Sequence, residues 1–262
     1  MNKEKKIMNS EKPNYGYTAI KYFIGISIVG LIGLIVVMFT FFIEDPLKSI
    51  IFMLIFPIAI TGLYIGALYI PLYHSILRTN PIKDVWKHIL KDFRGDEQVL
   101  DIGCGTGRVS INIAKHLVSG NVVGIDIYSG VSGSSPDTAY YNAEIEGVRD
   151  KVEFKYGNVL DIPFPDNAFD LVTAGSVLHE IHDDKEKLIV LNEIHRVLKP
   201  GGKFVSIEIL RDVRLYLALL YFAFVWKTKN FWETLLSKSN FKKWQSETHT
   251  QFLNLGIFIG QK

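Results

Sequence analysis

The stretch Val99-Leu100-Asp101-Ile102-Gly103-Cys104-Gly105-Thr106-Gly107 decides how this chain is read. A mostly apolar run enters three glycines at alternate positions. Val109, Ile111, Ile113, Ala114 and Leu117 then recur at helical spacing, so the segment predicts a buried strand, a tight turn and a helix. Glycine in such a turn lets the backbone approach a ligand closely, because no Cβ intervenes and positive φ costs little. The spacing is GxGxG, and the position that would complete a dinucleotide GxGxxG holds Arg108, which points away from NAD.

Working downstream, Val122-Val123-Gly124-Ile125-Asp126 is a second buried strand, ending in an acid about 20 residues after the loop, where a ribose diol is expected. Two carboxylate oxygens can accept both hydroxyl protons. Ser135-Pro136 opens a helix, and Val152-Glu153-Phe154-Lys155 leads to Gly157-Asn158-Val159, Ile162-Pro163-Phe164 and Phe169-Asp170-Leu171-Val172-Thr173. A helix ending in Ile194-His195-Arg196-Val197-Leu198-Lys199-Pro200-Gly201-Gly202 precedes a strand from Lys203 to Ile209. Asn230-Phe231-Trp232-Glu233 reads as a capping box opening the last helix, and Phe241 to Ser246 with Phe252 to Gly260 suit a terminal antiparallel hairpin. Alternating strands and helices predict an α/β fold with a doubly wound, mostly parallel sheet.

From Gln98 to Lys262 this combination resembles the class I, seven-stranded, Rossmann-like S-adenosylmethionine-dependent methyltransferase family, in particular its small-molecule branch, through LDIGCGTG, the acid of the second strand, the GN-x-x-x-IPF segment, FD and LKPGG. The resemblance implies seven strands, S-adenosylmethionine as cofactor, and a cofactor loop shaped by Asp101, Gly103, Cys104, Gly105, Thr106 and Gly107. It further implies that Asp126 with Ile127 holds the ribose, that Asn158 and Val159 border the adenine, and that Gly175 lines the cofactor site. Two features depart from the family pattern. Asn158 stands where Asp is usual, and its amide oxygen can still accept from the adenine amino group but carries no charge. Ile127 to Ser134 is a long Gly/Ser-rich stretch, open to reading as a lid or as a plain surface loop.

Upstream the character changes. No charged side chain occurs from Tyr22 to Ile43, a length matching the hydrocarbon core of a bilayer, and a second uncharged run extends from Ser49 to Leu77. The expected organisation is a tail and transmembrane hairpin over 1–79, with spans at about 22–43 and 50–73, followed by a methyltransferase domain over 80–262. A signal peptide would have a shorter apolar core and a small-residue cleavage site, which Glu44-Asp45-Pro46 does not resemble. Lys3, Lys5, Lys6, Lys12 and Lys21 precede the first span and Arg78 and Lys83 follow the second, against Lys48 alone between them, which places both ends and the catalytic domain in the cytoplasm. Pro57 predicts a kink. Ile82, Val85, Trp86, Ile89, Leu90 and Phe93 form an amphipathic connecting helix that covers the following sheet or lies on the membrane surface.

Lys and Arg number 29 against 27 Asp and Glu, so no field favours nucleic acid, and the single cysteine, Cys104, rules out an internal disulfide or a multi-cysteine zinc site. Methyl transfer is an in-line displacement needing alignment, exclusion of water and, for a hydroxyl or carbon acceptor, a general base. His179 and Glu180, in Ser176-Val177-Leu178-His179-Glu180-Ile181-His182-Asp183 after the fourth strand, are the candidates, with a cap or packing role for His179 as the alternative. His179 and His182 are three apart, not the four a zinc-protease helix requires, so no metal is expected. His195 reads as a surface or packing residue. Leu215 to Trp226 is nearly all apolar and too short to span a membrane; it reads either as a core helix or as a membrane-dipping, substrate-covering one. The expected function is methylation of a small apolar or amphipathic acceptor (quinone, isoprenoid or lipid head group) reached from the membrane. The alternatives are a methyltransferase for a soluble metabolite or membrane protein, or a non-catalytic cofactor-binding membrane regulator. Oligomeric state is not legible.

Overall fold

The computed structural model describes residues 12–15, 20–79, 86, 89–129, 134–250 and 253–262. Two compact units emerge, Tyr17–Asn80 and the combination of Met1–Gly16 with Pro81–Lys262.

In the smaller unit, α1 (Ile20–Phe39) and α2 (Leu47–Thr79) pack against each other. Stretches Phe23–Phe42 and Leu47–Ala67 are long and apolar enough to cross a bilayer, by length and composition. Their outward side chains are apolar too, with Phe39, Met53 and Leu54 each more than half exposed. Contact between the helices runs through small residues. A Cβ on Gly62 would lie 2.8 Å from the Gly30 Cα, and one on Gly33 would lie 3.1 Å from the Ala59 Cβ. Close backbone approach of this kind suits helix pairs in lipid, where burial of apolar surface gives no drive to associate. Helix α2 continues through Pro57.

The larger unit is built on seven strands: β1 (Gln98–Ile102), β2 (Asn121–Asp126), β3 (Val152–Tyr156), β4 (Phe169–Gly175), β5 (Leu198–Ile209), β6 (Lys243–Thr250) and β7 (Asn254–Gln261). Their spatial order is β3-β2-β1-β4-β5-β7-β6. Pairings are parallel from β3 across to β5, and antiparallel for β5 with β7 and β7 with β6. This is the doubly wound, mostly parallel sheet with a terminal antiparallel hairpin that the sequence predicts.

One face is covered by α3 (Arg108–Ala114) and α4 (Pro136–Ile145), the other by α5 (Asp184–Val197) and α7 (Lys229–Lys238). Alternate residues divide between the two cores. Val99, Val122 and Leu171 pack with Ile111 and Ala139, while Leu100, Ile102 and Val172 pack with Val190, Ile194 and Trp232. Trp86 and Leu90 are buried in the first of these cores, and Ile89 and Phe93 pack beside it. The apolar face of the expected connecting helix therefore covers the sheet at these positions; Ile82 and Val85 lie outside the described residues.

Several boundaries differ from expectation, among them β6, which runs Lys243–Thr250 where the sequence predicts Phe241 to Ser246. Helix α5 stops at Val197 and strand β5 already begins at Leu198, because Ala168 and Asn167 donate to the carbonyls of Val197 and Arg196 and draw the chain into the sheet before the Pro200-Gly201-Gly202 turn. The last helix is capped by Thr228, whose hydroxyl accepts from the Phe231 amide at 3.3 Å, two residues before the expected Asn230. Glu233 turns instead to the Ser246 hydroxyl at 2.6 Å, so no reciprocal capping box forms. By contrast, Ser135 caps α4 with Pro136 at its first turn as predicted.

Tight backbone packing makes one position sensitive. A Cβ at Gly120 would meet the Glu97 carbonyl at 2.2 Å, whereas one at Gly147 meets nothing within 4 Å and faces only the strain of its φ of +70°. Gly120→Ala is expected to lower the thermal midpoint, followed by tryptophan fluorescence, more than Gly147→Ala does, at a cost of roughly 1–3 kcal/mol against about 1–2 kcal/mol. Equal midpoints would show that the β2 entry yields where its packing says it cannot.

Candidate active site

Strand order reverses between β1 and β4, and at such a point the carboxyl ends of an open parallel sheet leave a crevice. The glycine loop leaves β1 there. The Ile125 carbonyl accepts from the amides of Gly103 at 2.8 Å and Cys104 at 3.1 Å, which ties the loop to the end of β2, and Gly107 donates back to Cys104 at 2.8 Å. Gly103, Gly105 and Gly107 all have positive φ, at +64°, +52° and +81°. A Cβ at Gly103 would penetrate Val177, and one at Gly107 would meet the Phe154 ring at 2.8 Å. At Gly105 the nearest atom is the Ser134 Cβ, 3.9 Å away. The first and last glycines thus close the turn against protein, and the middle one is the least crowded of the three, the backbone surface a ligand can approach.

Asp101 and Asp126 hold this loop in different ways. Asp101 is buried; its Oδ2 accepts from the Ser110 hydroxyl at 2.6 Å and its Oδ1 from the Thr173 hydroxyl at 2.7 Å, joining β1, α3 and β4. Loss of hydration pushes its carboxyl up to about 6, against the opposing pull of the two hydroxyls. Asp126 ends β2, its Oδ2 accepting from the Gly105 amide at 2.9 Å and its Oδ1 from the Tyr128 amide at 2.6 Å. Each oxygen retains capacity to accept a further hydrogen bond. Ile127 follows, half exposed. Cys104 is buried with its Sγ 3.5 Å from the Tyr128 hydroxyl, and burial raises both groups, so the thiol stays protonated and unreactive. Residues 130–133 of the Gly/Ser-rich stretch lie outside the described residues.

Asn158 is placed at the same rim, after β3, but its Oδ1 accepts from the Leu160 amide at 3.0 Å. The oxygen expected to face an adenine amino group is thus already held in a local turn. Val159 packs against the core next to it. Gly175 ends β4, and a Cβ there would meet Val109 at 2.8 Å. Thr106 is fixed through its carbonyl, which accepts from the Asn142 amide at 2.9 Å.

His179 is more than a cap. It lies in a short 3-10 turn after β4, with Nδ1 2.9 Å from Oε2 of Glu208 and its ring stacked on Trp226, centroids 5.6 Å apart. Glu208 is fully buried, and its Oε1 also accepts from the amides of Val177 and Leu178 at 3.1 and 2.9 Å. Glu180 points to a more open environment with no such anchor; partial desolvation lifts its carboxyl, and the nearby His179 opposes this. His195 packs edge-on against Phe241 at 5.2 Å, far from this cluster in role, and desolvation lowers its pKa. Glu208 and Trp226 were not singled out as site residues from sequence, although an acid inside the apolar strand Phe204-Val205-Ser206-Ile207-Glu208-Ile209 was a usable signal. Also unforeseen was Asn14, whose amide donates to Asn142 Oδ1 at 2.6 Å and whose carbonyl accepts from Asn142 Nδ2 at 2.9 Å, while the neighbouring Tyr15 carbonyl accepts from Arg108 at 2.9 Å. Through Asn142 and Arg108 this segment is fastened to the cofactor-loop helices.

The strand order and the glycine loop are those of the class I, Rossmann-like methyltransferase fold. Residues 100–206 match the family described as a methyltransferase domain. The chain is 33% identical over 137 residues, 52% of its length, to a demethylmenaquinone methyltransferase of Symbiobacterium thermophilum, and 41% identical over 111 residues, 42% of its length, to one of Lactiplantibacillus plantarum. It covers 51% and 44% of those proteins, so it spans about half the length of the curated relatives it matches. Among solved structures, a SAM-dependent methyltransferase of Methanosarcina mazei superposes on 67% of this chain and 96% of its own at a TM-score of 0.55, with 26% identity.

The buried Asp101 gives a pH signature. Its folded value lies above the ordinary aspartate value of 3.8, so protonation favours the folded state; that contribution is complete below about pH 4 and is lost as pH rises through about 6. Asp101→Asn, which cannot ionise, should therefore gain stability relative to the parent on going from pH 4.5 to pH 8, by about 2 kcal/mol. Denaturant unfolding at the two pH values checks it, and a difference between the two proteins that does not change with pH would refute the assignment.

Proposed function

We propose that this chain is a membrane-anchored methyltransferase that uses S-adenosylmethionine to methylate a quinone-type acceptor with an apolar tail. The observation that carries the reading is convergence at one sheet rim of the Gly103–Gly107 loop, the Asp126 carboxylate and a histidine oriented by a buried glutamate. The matched domain and the Methanosarcina mazei structure support the donor; the names of the two curated relatives support a quinone.

The residues fit the donor. Gly105 offers the least crowded backbone of the loop, Asp126 would accept from the ribose hydroxyls, and Val159 with Asn158 would border the adenine end. When bound, the donor supplies an electrophilic methyl group on a sulfonium sulfur. An aromatic ring carbon is a competent nucleophile in the reduced, hydroquinone form once a phenolic proton is withdrawn. As it takes the methyl group the methyl–sulfur bond breaks to leave the neutral thioether, and loss of the ring hydrogen as a proton restores the aromatic ring. His179 is placed to take that proton: the Glu208 carboxylate accepts from Nδ1–H, which leaves Nε2 as the basic nitrogen. Trp226, flat against His179, provides an apolar wall that keeps water from the pair. In this reading the anchor is the unit Tyr17–Asn80, with α1 and α2 in the bilayer, while the tail around Asn14 belongs with the catalytic unit, and the lysine distribution supports a catalytic domain in the cytoplasm.

Calorimetry on the full chain in detergent is expected to show binding of the demethylated donor, S-adenosylhomocysteine, and Asp126→Ala should weaken it roughly tenfold to a hundredfold, the worth of hydrogen bonds to a charged group. Label from methyl-labelled donor should appear in reduced quinones of a membrane lipid extract; label confined to water-soluble products would overturn the acceptor assignment. Glu208→Gln is expected to lower kcat about tenfold to a hundredfold, with donor affinity unchanged. Loss of donor affinity in that variant would mean that Glu208 supports the loop and does not serve the base.

A further inference from the structure

The segment between β5 and α7 has an unusual surface. It comprises α6 (Val213–Leu219) and a 3-10 stretch, Leu220–Val225. Leu215 and Ala223 are fully buried and hold it to the domain, yet apart from Arg214 its exposed described side chains are apolar or aromatic: Val213 is 72% exposed, Phe224 53%, Val225 49% and Tyr216 40%. Tyr216 and Phe224 meet edge to face at 5.1 Å, and the Arg211 guanidinium lies over the Phe224 ring at 5.3 Å. Exposed apolar groups scattered singly are ordinary; a cluster of aromatic and aliphatic groups beside cations marks a contact surface.

Charge chooses the partner. Arg211 and the exposed Arg214 flank the cluster, while the one acid between Arg211 and Val225, Asp212, is turned to the Leu215 amide and the Asn254 side chain. An amphipathic element with basic residues at its polar border and Phe, Tyr and Val on its apolar face suits the headgroup boundary of an anionic bilayer, and the same chain carries two stretches long and apolar enough to cross one. The segment also ends at the site: Trp226, the residue after Val225, stacks on His179.

We propose that the face formed by Arg211, Val213, Arg214, Tyr216, Phe224 and Val225 docks the methyltransferase domain onto an anionic membrane surface, so that an acceptor held in the bilayer reaches His179 past Trp226 without crossing water. Its purpose rests on the acceptor reading given above; the docking itself does not, and the two are separable by experiment.

Cys104 is buried, so a new cysteine can be labelled alone. The full chain carrying Val213→Cys or Phe224→Cys, labelled with a nitrobenzoxadiazole dye and reconstituted in nanodiscs containing phosphatidylglycerol, should be quenched by lipids spin-labelled near the headgroup. A label at Val118→Cys, an 81% exposed position outside the cluster, should not. Arg211→Gln with Arg214→Gln should reduce the docked-to-free ratio roughly thirtyfold, and exchange of phosphatidylglycerol for phosphatidylcholine should act in the same direction. Val213→Ser with Phe224→Ser should raise KM for a tailed acceptor in vesicles and leave kcat on a short, soluble analogue unchanged. Quenching at 213 and 224 no greater than at 118, or indifferent to lipid charge, overturns docking, as does shielding in detergent that grows with protein concentration, which would assign the face to a second copy of the chain. Quenching as expected with no donor binding would keep the docking and sink the acceptor reading.

Discussion

Three backbone amides in a row, those of Gly103, Cys104 and Gly105, end on the last two residues of the neighbouring strand: two on the Ile125 carbonyl and one on the Asp126 carboxylate. That seam is the constraint on which the crevice depends. It requires positive φ at alternate residues, which only glycine accepts without strain, and it requires the β1–β2 register that brings Ile102 opposite Ile125. Loosening either would free the loop amides and leave buried donors unpaired. Asp101 beneath the seam ties the same turn to β4, so the two strands flanking the topological switch move as one piece.

The second half of the site is organised from the other side of the switch. Glu208 spends one oxygen on two backbone amides and the other on His179, so a single buried carboxylate sets the turn after β4 and the orientation of the imidazole it carries. Such a group is stable inside a protein only when its lone pairs are met, and here three donors meet them. The turn and the base are therefore built together.

Local chemistry was legible in the chain; long-range pairing was not. The strand, turn and helix at Val99 to Leu117, the acid closing β2, the Ser135-Pro136 start of α4 and the final hairpin all carry short-range signals of apolar period, glycine spacing and capping residue, and all are found where those signals lie. His179 could be singled out by its place after the fourth strand, yet its partner is 29 residues away on a strand that becomes its neighbour only once β4 and β5 pair. The contact of Asn14 with Asn142 spans 128 residues and has no local pattern at all. Asn158 shows the opposite case: it follows β3 as its motif suggests, but its side-chain oxygen accepts from an amide two residues on. The α5–β5 boundary went astray because Leu198 and Lys199 suit a helix end as well as a strand start, and only the carbonyls accepting from residues 167 and 168 decide between them.

Asp101 has one more implication, for anyone who would engineer this protein. A carboxylate held in the dark of a core at neutral pH works against the fold that contains it, and directed evolution scored on heat resistance alone would tend to erase it. The variants surviving such selection would be sturdier scaffolds with a slackened glycine loop, and a campaign aimed at robustness needs turnover as a concurrent filter to keep that residue in place.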